Sequence, residues 1–275
     1  MILDCHIHTN DPSIPPEEFA SRLDRAGVDG GILFSLCPPS FDNEIAQPGD
    51  ARKRIEQVIQ YCRGLDQVHP FFFIDPMEPD ALEQVDMAVE AGIHGFKAIC
   101  CHHYPQDDRA MKVWSHIANA GKPLLLHSGI LYNNGPSANF NRPGNFEDLI
   151  LIPGLRFALA HISWPWCDEL ISVFGKWNYL AVESCSGVTS QMYVDVTPGT
   201  PPSYRREALS KLLQVGYPTM NSHVIFGTDG ATDYRISHIQ EMIARDRGIY
   251  QELEIAQPVQ EQIFSKNLLD FLSPA

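Results

Sequence analysis

Eight short apolar runs, separated by stretches with a helical pattern, are the feature of this sequence that most limits its fold. The runs are rich in aliphatic and β-branched side chains, and most are apolar throughout rather than alternating with polar residues. Such runs are typical of parallel strands that are covered on both faces. They occupy residues 2–5, 30–36, 68–74, 92–101, 123–127, 155–162, 179–184 and 224–227.

Helical periodicity fills the intervals between these runs. In residues 50–63 the apolar side chains recur at the spacing that places them on one face of a helix. The same pattern predicts helices at 17–26, 50–63, 80–90, 109–120, 166–174, 204–215, 234–247 and 258–272. Strands that alternate with helices in this way predict an α/β fold, a (β/α)8 TIM barrel, with residues 1–275 forming a single domain.

The competing architecture is an open, doubly wound sheet. That fold would place a glycine-rich phosphate loop after the first strand, and a pair of histidines stands there instead. Two irregular segments, 132–145 and 187–203, follow predicted strands five and seven. In barrel enzymes such loops build the substrate pocket.

Charge and composition argue against several classes of partner. The net charge is −14, and the longest basic cluster is residues 52–54, so nucleic acid and anionic membranes are unsuitable partners. The sequence has neither an apolar run of the ~18–20 residues that span a bilayer nor a secretion signal. The 7 cysteines contain no CxxC pair, which predicts reduced thiols in a cytoplasmic protein.

Histidines and an aspartate stand where four of the predicted strands end. Residues two apart on a strand point to the same side, so His6 and His8 share a face. His127, His161 and Asp229 end predicted strands five, six and eight. Each alone could be a surface histidine or a helix-capping aspartate. Because the strand ends of a barrel meet at one rim, we expect these groups to converge there and to bind zinc or another divalent transition metal.

This set of residues, in this order, resembles the amidohydrolase superfamily of metal-dependent hydrolases. The similarity is closest to the amidohydrolase-related branch, also called amidohydrolase 2, which includes aminocarboxymuconate-semialdehyde decarboxylase and several lactonases. Further similar segments are spread over the whole chain: DCHIH, RPGNFEDLILIP, AHISWPW and IFSKNLLDFL.

The resemblance implies a role for each matching residue. His6, His8 and His127 would bind the metal, while Asp229 would bind or contact it and serve as the base. His161 would orient the attacking water or the substrate carbonyl without being a primary ligand. The implied cofactor is one divalent metal ion, with Zn2+ expected first, although manganese and iron accept the same donors.

Strand four departs from the pattern of many superfamily members, which carry there a carboxylated lysine that bridges two metals. Here the strand reads GFKAICC, with Lys97 early in it and two cysteines at its end. Because a bridging lysine belongs at the mouth of the barrel, we expect a single metal. Lys97 is then expected to be a buried, paired lysine or a contact for a substrate carboxylate.

Four further residues are candidates for substrate binding, and each has a structural alternative. His103 follows strand four and could equally be an ordinary loop histidine. Arg142, in the loop after strand five, could clamp a carboxylate or hold its loop. Trp164 could wall the pocket or pack internally, and Glu183, near the end of predicted strand seven, could bind substrate or form a salt bridge.

The expected reaction is hydrolysis of a C–O or C–N bond in a small carboxylated or carbonyl-bearing substrate. A metal-activated water would attack, Asp229 would take its proton, and His161 would stabilise the developing charge. Three alternatives stay open: non-oxidative decarboxylation at the same site, a non-catalytic metal-stabilised barrel, and a phosphoesterase of the histidinol-phosphatase type. Because barrels of this branch often pair, the resemblance also leaves a homodimer open.

Overall fold

One parallel sheet organises the part of the chain that the computed structural model describes, residues 1–11, 13–41, 50–132, 135–184 and 186–273. Within these residues the strands are neighbours in the order β8-β7-β6-β5-β4-β3-β2-β1-β9. Their bounds are β1 Leu3–His8, β2 Gly30–Phe34, β3 Val68–Phe73, β4 Gly95–Ala98, β5 Leu124–Leu126, β6 Arg156–Leu159, β7 Gln191–Asp195, β8 Val224–Ile225 and β9 Gly230–Ala231.

The sheet closes into a barrel because β8 and β9 together form its eighth strand. β8 pairs with β7, and β9, which follows a short break in the same strand, pairs with β1 in parallel. Directly after β8, the carbonyl of Phe226 accepts a hydrogen bond of 2.9 Å from the backbone N–H of Cys5. The predicted (β/α)8 barrel is confirmed.

Helices follow the strands, and most of them cover the outside of the sheet. They are α1 Pro16–Ala26, α2 Ala51–Cys62, α3 Ala81–Ala91, α4 Asp108–Asn119, α5 Ser137–Phe140, α6 Cys167–Asn178, α7 Pro202–Leu213, α8 Ile236–Glu252, α9 Gln257–Glu261 and α10 Asn267–Leu272. In α1 the buried residues Phe19, Leu23 and Ala26 recur at helical spacing and face the sheet. α1 ends at Gly27, whose φ of 79° is costly for residues with a side chain. No helix in the described ranges is long and apolar enough to cross a membrane.

The seventh strand lies elsewhere than the sequence predicted. Residues 179–184 form no strand: Tyr179–Glu183 is a π-helical turn that extends α6. Their apolar side chains suggested a strand, but Tyr179 and Val182 are more than half exposed. The true strand, β7, lies in the segment predicted to be an irregular loop. There the buried side chains of Met192 and Val194 pack in the layer between sheet and helices.

The core has two layers, and one end of the barrel is closed by the C-terminal helix. Inside the barrel, side chains from alternate strand positions pack with Leu268 and Phe271 of α10. The amide of Asn267 fixes that helix by donating to the carbonyl of Val224 at the start of β8. Because α10 covers the N-terminal ends of the strands, the opposite rim is left for a site.

Candidate metal centre

Four imidazoles meet at the C-terminal rim of the barrel. The ring centroids of His6 and His8 lie 5.1 Å apart, as do those of His6 and His161, and those of His127 and His161 lie 4.8 Å apart. His6 is 1% exposed, whereas the side chain of His8 is 33% exposed. The predicted convergence of strand ends thus brings together histidines that are more than a hundred positions apart.

Asp195 orients the most buried of these imidazoles. Nδ1 of His6 lies 2.7 Å from Oδ2 of Asp195, and the other carboxylate oxygen accepts from the backbone N–H of Thr197 at 2.6 Å. The carboxylate accepts the Nδ1 proton of His6, so Nε2 is left as a lone-pair donor facing the rim. Burial, aided by the charge of Lys97, lowers the pKa of His6 to about 3, which keeps the ring neutral at physiological pH.

Asp229 brings a carboxylate to the same point. Its Oδ1 lies 3.3 Å from Nε2 of His8 and 3.5 Å from Nε2 of His6. Burial would raise the pKa of Asp229, but the hydrogen bond with His8 and attraction to the surrounding imidazoles hold it well below its usual value. Two ligands at about 2.0–2.1 Å from a tetrahedral ion are roughly 3.3 Å apart, so these separations suit a shared cation.

A strained turn presents His161. After β6, the residues His161, Ile162 and Ser163 have φ values of 63°, 47° and 50°, a left-handed conformation that is costly for a β-branched residue. Ser128 stabilises the turn, because its hydroxyl donates to the carbonyl of Ala160 and lies 2.6 Å from that of Ser163. Strain of this kind clusters at functional sites, where neighbouring structure holds it in place.

The donors fit a divalent cation. Nε2 of His127 and Nδ1 of His161 are buried without a hydrogen-bond partner among the described residues. Burial lowers the pKa of both rings, so they are neutral and able to donate lone pairs. One ligand atom from each of His6, His161 and Asp229 lies within 4.8 Å of the others. This trio includes His161, for which the sequence predicted a role beside the metal rather than on it.

Lys97 also reaches the centre, where the sequence predicted either a buried, paired lysine or a contact for a substrate carboxylate. Its Nζ lies 3.3 Å from Nε2 of His6 and 5.0 Å from the centroid of the Phe34 ring, in a fully buried position. Burial lowers the pKa of Lys97 to about 8. Placing Lys97 away from the mouth because it lies early in the strand was therefore wrong, since β4 ends at Ala98 and the long side chain spans the remaining distance.

Asp4 supports the site from below. Its carboxylate accepts from the backbone N–H groups of His6 and Thr228 at 2.9 and 3.0 Å, and from the hydroxyl of Tyr234 at 2.8 Å. The Thr228 hydroxyl also donates to it. These bonds link β1 to the segment that follows β8, which fixes the position of His6 relative to Asp229.

A cavity of about 340 Å³ opens above the centre. The central residues form its floor, and apolar side chains, including Phe41, Phe73, Ile99 and Leu131, form much of its wall. Ser35, Asn10 and Thr9 add hydroxyl and amide groups. A cavity of this size and lining suits a small, partly apolar ligand with a polar end directed at the floor.

Four of the weaker sequence candidates lie outside the described lining of this cavity. Arg142 is exposed and pairs with Glu169 at 2.6 Å, which favours the loop-stabilising alternative. Trp164 packs against Tyr204 with ring centroids 4.8 Å apart. Glu183 lies on the helical extension of α6 and accepts from the amide of Asn178, so its predicted place at a strand end was wrong. His103 is buried beyond the rim.

Sequence reasoning missed Asp195, which became visible only with the correct seventh strand. The signal in the sequence was QMYVDV, a short, mostly apolar run with an aspartate as its fifth residue, followed directly by Thr-Pro-Gly. Its period of two places Tyr193 and Asp195 inside the barrel.

The Amidohydrolase family model Amidohydro_2 matches residues 3–272. A search of curated proteins found no match.

Solved structures share the fold at low sequence identity. A probable 2-pyrone-4,6-dicarboxylic acid hydrolase from Acinetobacter baumannii is 13% identical with a TM-score of 0.60, and the match covers 98% of each chain. Dihydroorotase from Campylobacter jejuni is 14% identical with a TM-score of 0.56, covering 98% of this chain and 82% of that one. An amidohydrolase 2 protein from Bifidobacterium longum subsp. infantis is 13% identical with a TM-score of 0.55, covering 100% and 99%.

Proposed function

We propose that this chain, which belongs to the amidohydrolase family of metal-dependent enzymes, is a hydrolase with one catalytic divalent cation. The proposed ligands are His6, His8, His127 and Asp229, and the proposed ion is Zn2+, which accepts imidazole and carboxylate donors. The reaction is hydrolysis of a C–O or C–N bond next to a carbonyl in a small carboxylated substrate.

One observation carries this proposal: imidazoles and an ionised carboxylate from different strand ends face one point. The separations of Asp229 Oδ1 from the Nε2 atoms of His6 and His8, 3.5 and 3.3 Å, fit two ligands of one ion. The buried Nε2 of His127, which lacks a partner among the described residues, would gain one from such an ion, and the unpaired Nδ1 of His161 would gain one from the substrate. A cluster that only supported the fold would have no reason to leave these two nitrogens unpaired.

The residues of this chain divide the chemical work between them. When bound, the ion supplies Lewis acidity and lowers the pKa of a coordinated water toward ~7. Asp229 accepts the proton of the attacking water, for which its lowered pKa keeps the carboxylate available. His161, on its strained turn, donates a hydrogen bond to the oxygen of the attacked carbonyl as negative charge develops there. Asp195 holds His6 in the tautomer that this geometry needs.

The substrate class follows from the floor of the cavity. The ammonium group of Lys97 is buried beside the imidazoles, where it can attract a substrate carboxylate. The volume of about 340 Å³ limits the substrate to a small molecule. The structural similarity to a probable 2-pyrone-4,6-dicarboxylic acid hydrolase supports testing carboxylated lactones first. A small-molecule substrate as the ligand, no nucleic-acid or membrane partner, and a cytoplasmic location are part of the same proposal.

Turnover of a panel of carboxylated lactones and cyclic amides, 2-pyrone-4,6-dicarboxylic acid among them, tests this function. With isotopically labelled water, hydrolysis places the label in the new carboxylate, whereas decarboxylation releases carbon dioxide and leaves the ring closed. Asp229→Asn should abolish turnover while the fold is retained. Asp233→Asn, which changes a nearby carboxylate outside the described lining of the central cavity, is the matched control and should keep activity.

Full turnover by Asp229→Asn on a substrate that the wild-type protein accepts would refute the proposed base. Release of carbon dioxide without a new labelled carboxylate in the organic product would replace hydrolysis by decarboxylation at the same centre.

A further inference from the structure

A second cluster of metal-binding side chains lies outside the central site. It consists of Asp75, His102 and His103, and it is called the rim cluster below. Asp75 follows β3 and the two histidines follow β4, so neighbouring strands bring the three together at the C-terminal rim. One ligand atom from each lies within 4.8 Å of the others. None of the three lines the described part of the central cavity.

We propose that the rim cluster is a second binding site for a divalent transition metal of the zinc type. Nε2 of His102 lies 3.3 Å from Oδ2 of Asp75. Ligands of a tetrahedral zinc ion at about 2.0–2.1 Å are roughly 3.3 Å apart, so these two atoms already have the spacing of a shared ion. Two imidazoles and one carboxylate form a donor set that zinc accepts, with a further position left for water.

Both outer ligands are oriented by neighbours. The backbone N–H of Met77 donates to Oδ1 of Asp75 at 2.9 Å, which leaves Oδ2 directed at His102. The thiol of Cys101 lies 3.3 Å from Nδ1 of His102, so Nε2 is the nitrogen that faces the cluster. Contacts of this kind fix the orientation of ligand side chains in metal sites.

His103 provides the independent evidence for a ligand. The residue is 4% exposed, and both of its ring nitrogens are buried without a hydrogen-bond partner among the described residues. A buried polar group without a partner destabilises the fold by about 1–3 kcal/mol. An ordinary His102–Asp75 ion pair gives no reason for a third, unpartnered imidazole beside it, whereas a bound cation would satisfy one of its nitrogens.

The cluster is accessible from solvent. The side chain of His102 is 41% exposed, which gives an ion a path from solvent, while that of Asp75 is only 6% exposed. A bound ion would join the ends of β3 and β4 beside the mouth of the central cavity.

Zinc content and zinc titration of the purified full chain test the proposal. We expect the wild-type protein to bind two equivalents of Zn2+, one in the central site and one in the rim cluster. His103→Gln and Asp75→Asn should each raise the dissociation constant of one equivalent by about 100-fold or more and leave the other unchanged. His102→Gln changes a partly exposed side chain and is expected to fold. It replaces His103→Gln or Asp75→Asn in the titration if either of those two variants fails to fold.

Two comparisons keep this test separate from that of the proposed function. His116→Gln is the matched control and should keep both equivalents, because His116 pairs with Asp86 at 2.6 Å and the described residues form no three-ligand group there. His8→Gln should weaken only the central equivalent.

The wild-type protein could bind a single equivalent of zinc that His103→Gln loses and His8→Gln keeps. That result would support the rim site and refute the central one. Retention of every equivalent by Asp75→Asn and His102→Gln would overturn the rim proposal.

Discussion

Nδ1 of His6 lies 2.7 Å from Oδ2 of Asp195, and both side chains are almost completely buried. Burial by itself would raise the pKa of Asp195, but attraction to His6 and hydrogen bonds from His6 and Thr197 lower it to about 2. A permanent carboxylate beneath the imidazole therefore fixes its tautomer. The consequence is that Nε2 of His6 always presents a lone pair to the rim.

Asp195→Asn should weaken zinc binding by about 10–100-fold, because carboxylates that orient metal-binding histidines commonly contribute this much. The amide must place its NH2 group either against Nδ1 of His6 or against the N–H of Thr197, and both arrangements disturb the ring. Competition titration with a chromophoric chelator measures the effect. Unchanged affinity would mean that His6 does not depend on Asp195 for its tautomer.

His161 and His127 should respond differently to the same substitution. If His161 acts on the substrate and His127 binds the ion, His161→Gln should keep the central metal and lose about 100-fold or more in kcat, within the range for acid–base groups. His127→Gln should lose the metal itself. Metal content and kcat measured on the same preparations separate the two roles. Loss of metal from His161→Gln would make this residue a ligand, as its distances from His6 and Asp229 allow.

Lys97→Met should bind zinc more tightly, by about 10-fold, and use carboxylated substrates less well. The ammonium group lies 3.3 Å from Nε2 of His6, where it repels a cation and attracts a substrate carboxylate. Because burial lowers the pKa of Lys97 to about 8, zinc affinity of the wild-type protein should rise as pH increases through this value. The variant should lack that rise. Weaker zinc binding by Lys97→Met would instead indicate that Lys97 helps to hold the metal.

The buried ion pair between α7 and α8 should contribute strongly to stability. Arg205 and Asp246 are 0% and 1% exposed, and the guanidinium donates to both carboxylate oxygens at 3.0 and 2.6 Å. Asp246→Asn leaves a buried charge unpaired and should lower the free energy of unfolding by about 3–5 kcal/mol. Glu252→Gln, which breaks the exposed pair with Arg206, is the matched control and should cost below about 1 kcal/mol. Urea denaturation compares the two, and similar losses would contradict this account.

Stability should fall on acidification because His69 is held neutral. Its Nδ1 lies 3.0 Å from Nδ1 of His94, and burial together with repulsion from His94 lowers the pKa of His69 to about 4. At pH values between the folded pKa of about 4 and the unfolded pKa of about 6.5, His69 binds more protons in the unfolded state than in the folded state. The stability that comes from keeping His69 neutral is therefore fully present above about pH 6.5 and is lost as the pH falls toward 4.

From pH 7 to pH 5, the wild-type protein should lose about 1 kcal/mol more than His69→Gln, after allowance for partial exposure. Denaturant unfolding at the two pH values measures the difference. Equal losses in both proteins would show that His69 does not carry this dependence.

The fold and most of the centre were predictable because parallel strands of a barrel share one rim. His6, His8, His127, His161 and Asp229 all follow or end apolar runs, so one rule placed them together. Asp195 escaped because its strand begins with polar Gln191 after a glycine-containing loop, while the more apolar residues 179–184 continue a helix. Lys97 was named as a substrate contact, but its reach to the mouth of the barrel was missed, because position along a strand does not show how far a flexible side chain extends.

Anomalous scattering from zinc-loaded crystals, collected on both sides of the zinc absorption edge, tests the central claim most directly. The account predicts a peak at the rim within about 2.0–2.2 Å of Nε2 of His6 and of an oxygen of Asp229, with His8 and His127 completing the coordination. A zinc-loaded crystal without a peak between His6 and Asp229 would contradict it.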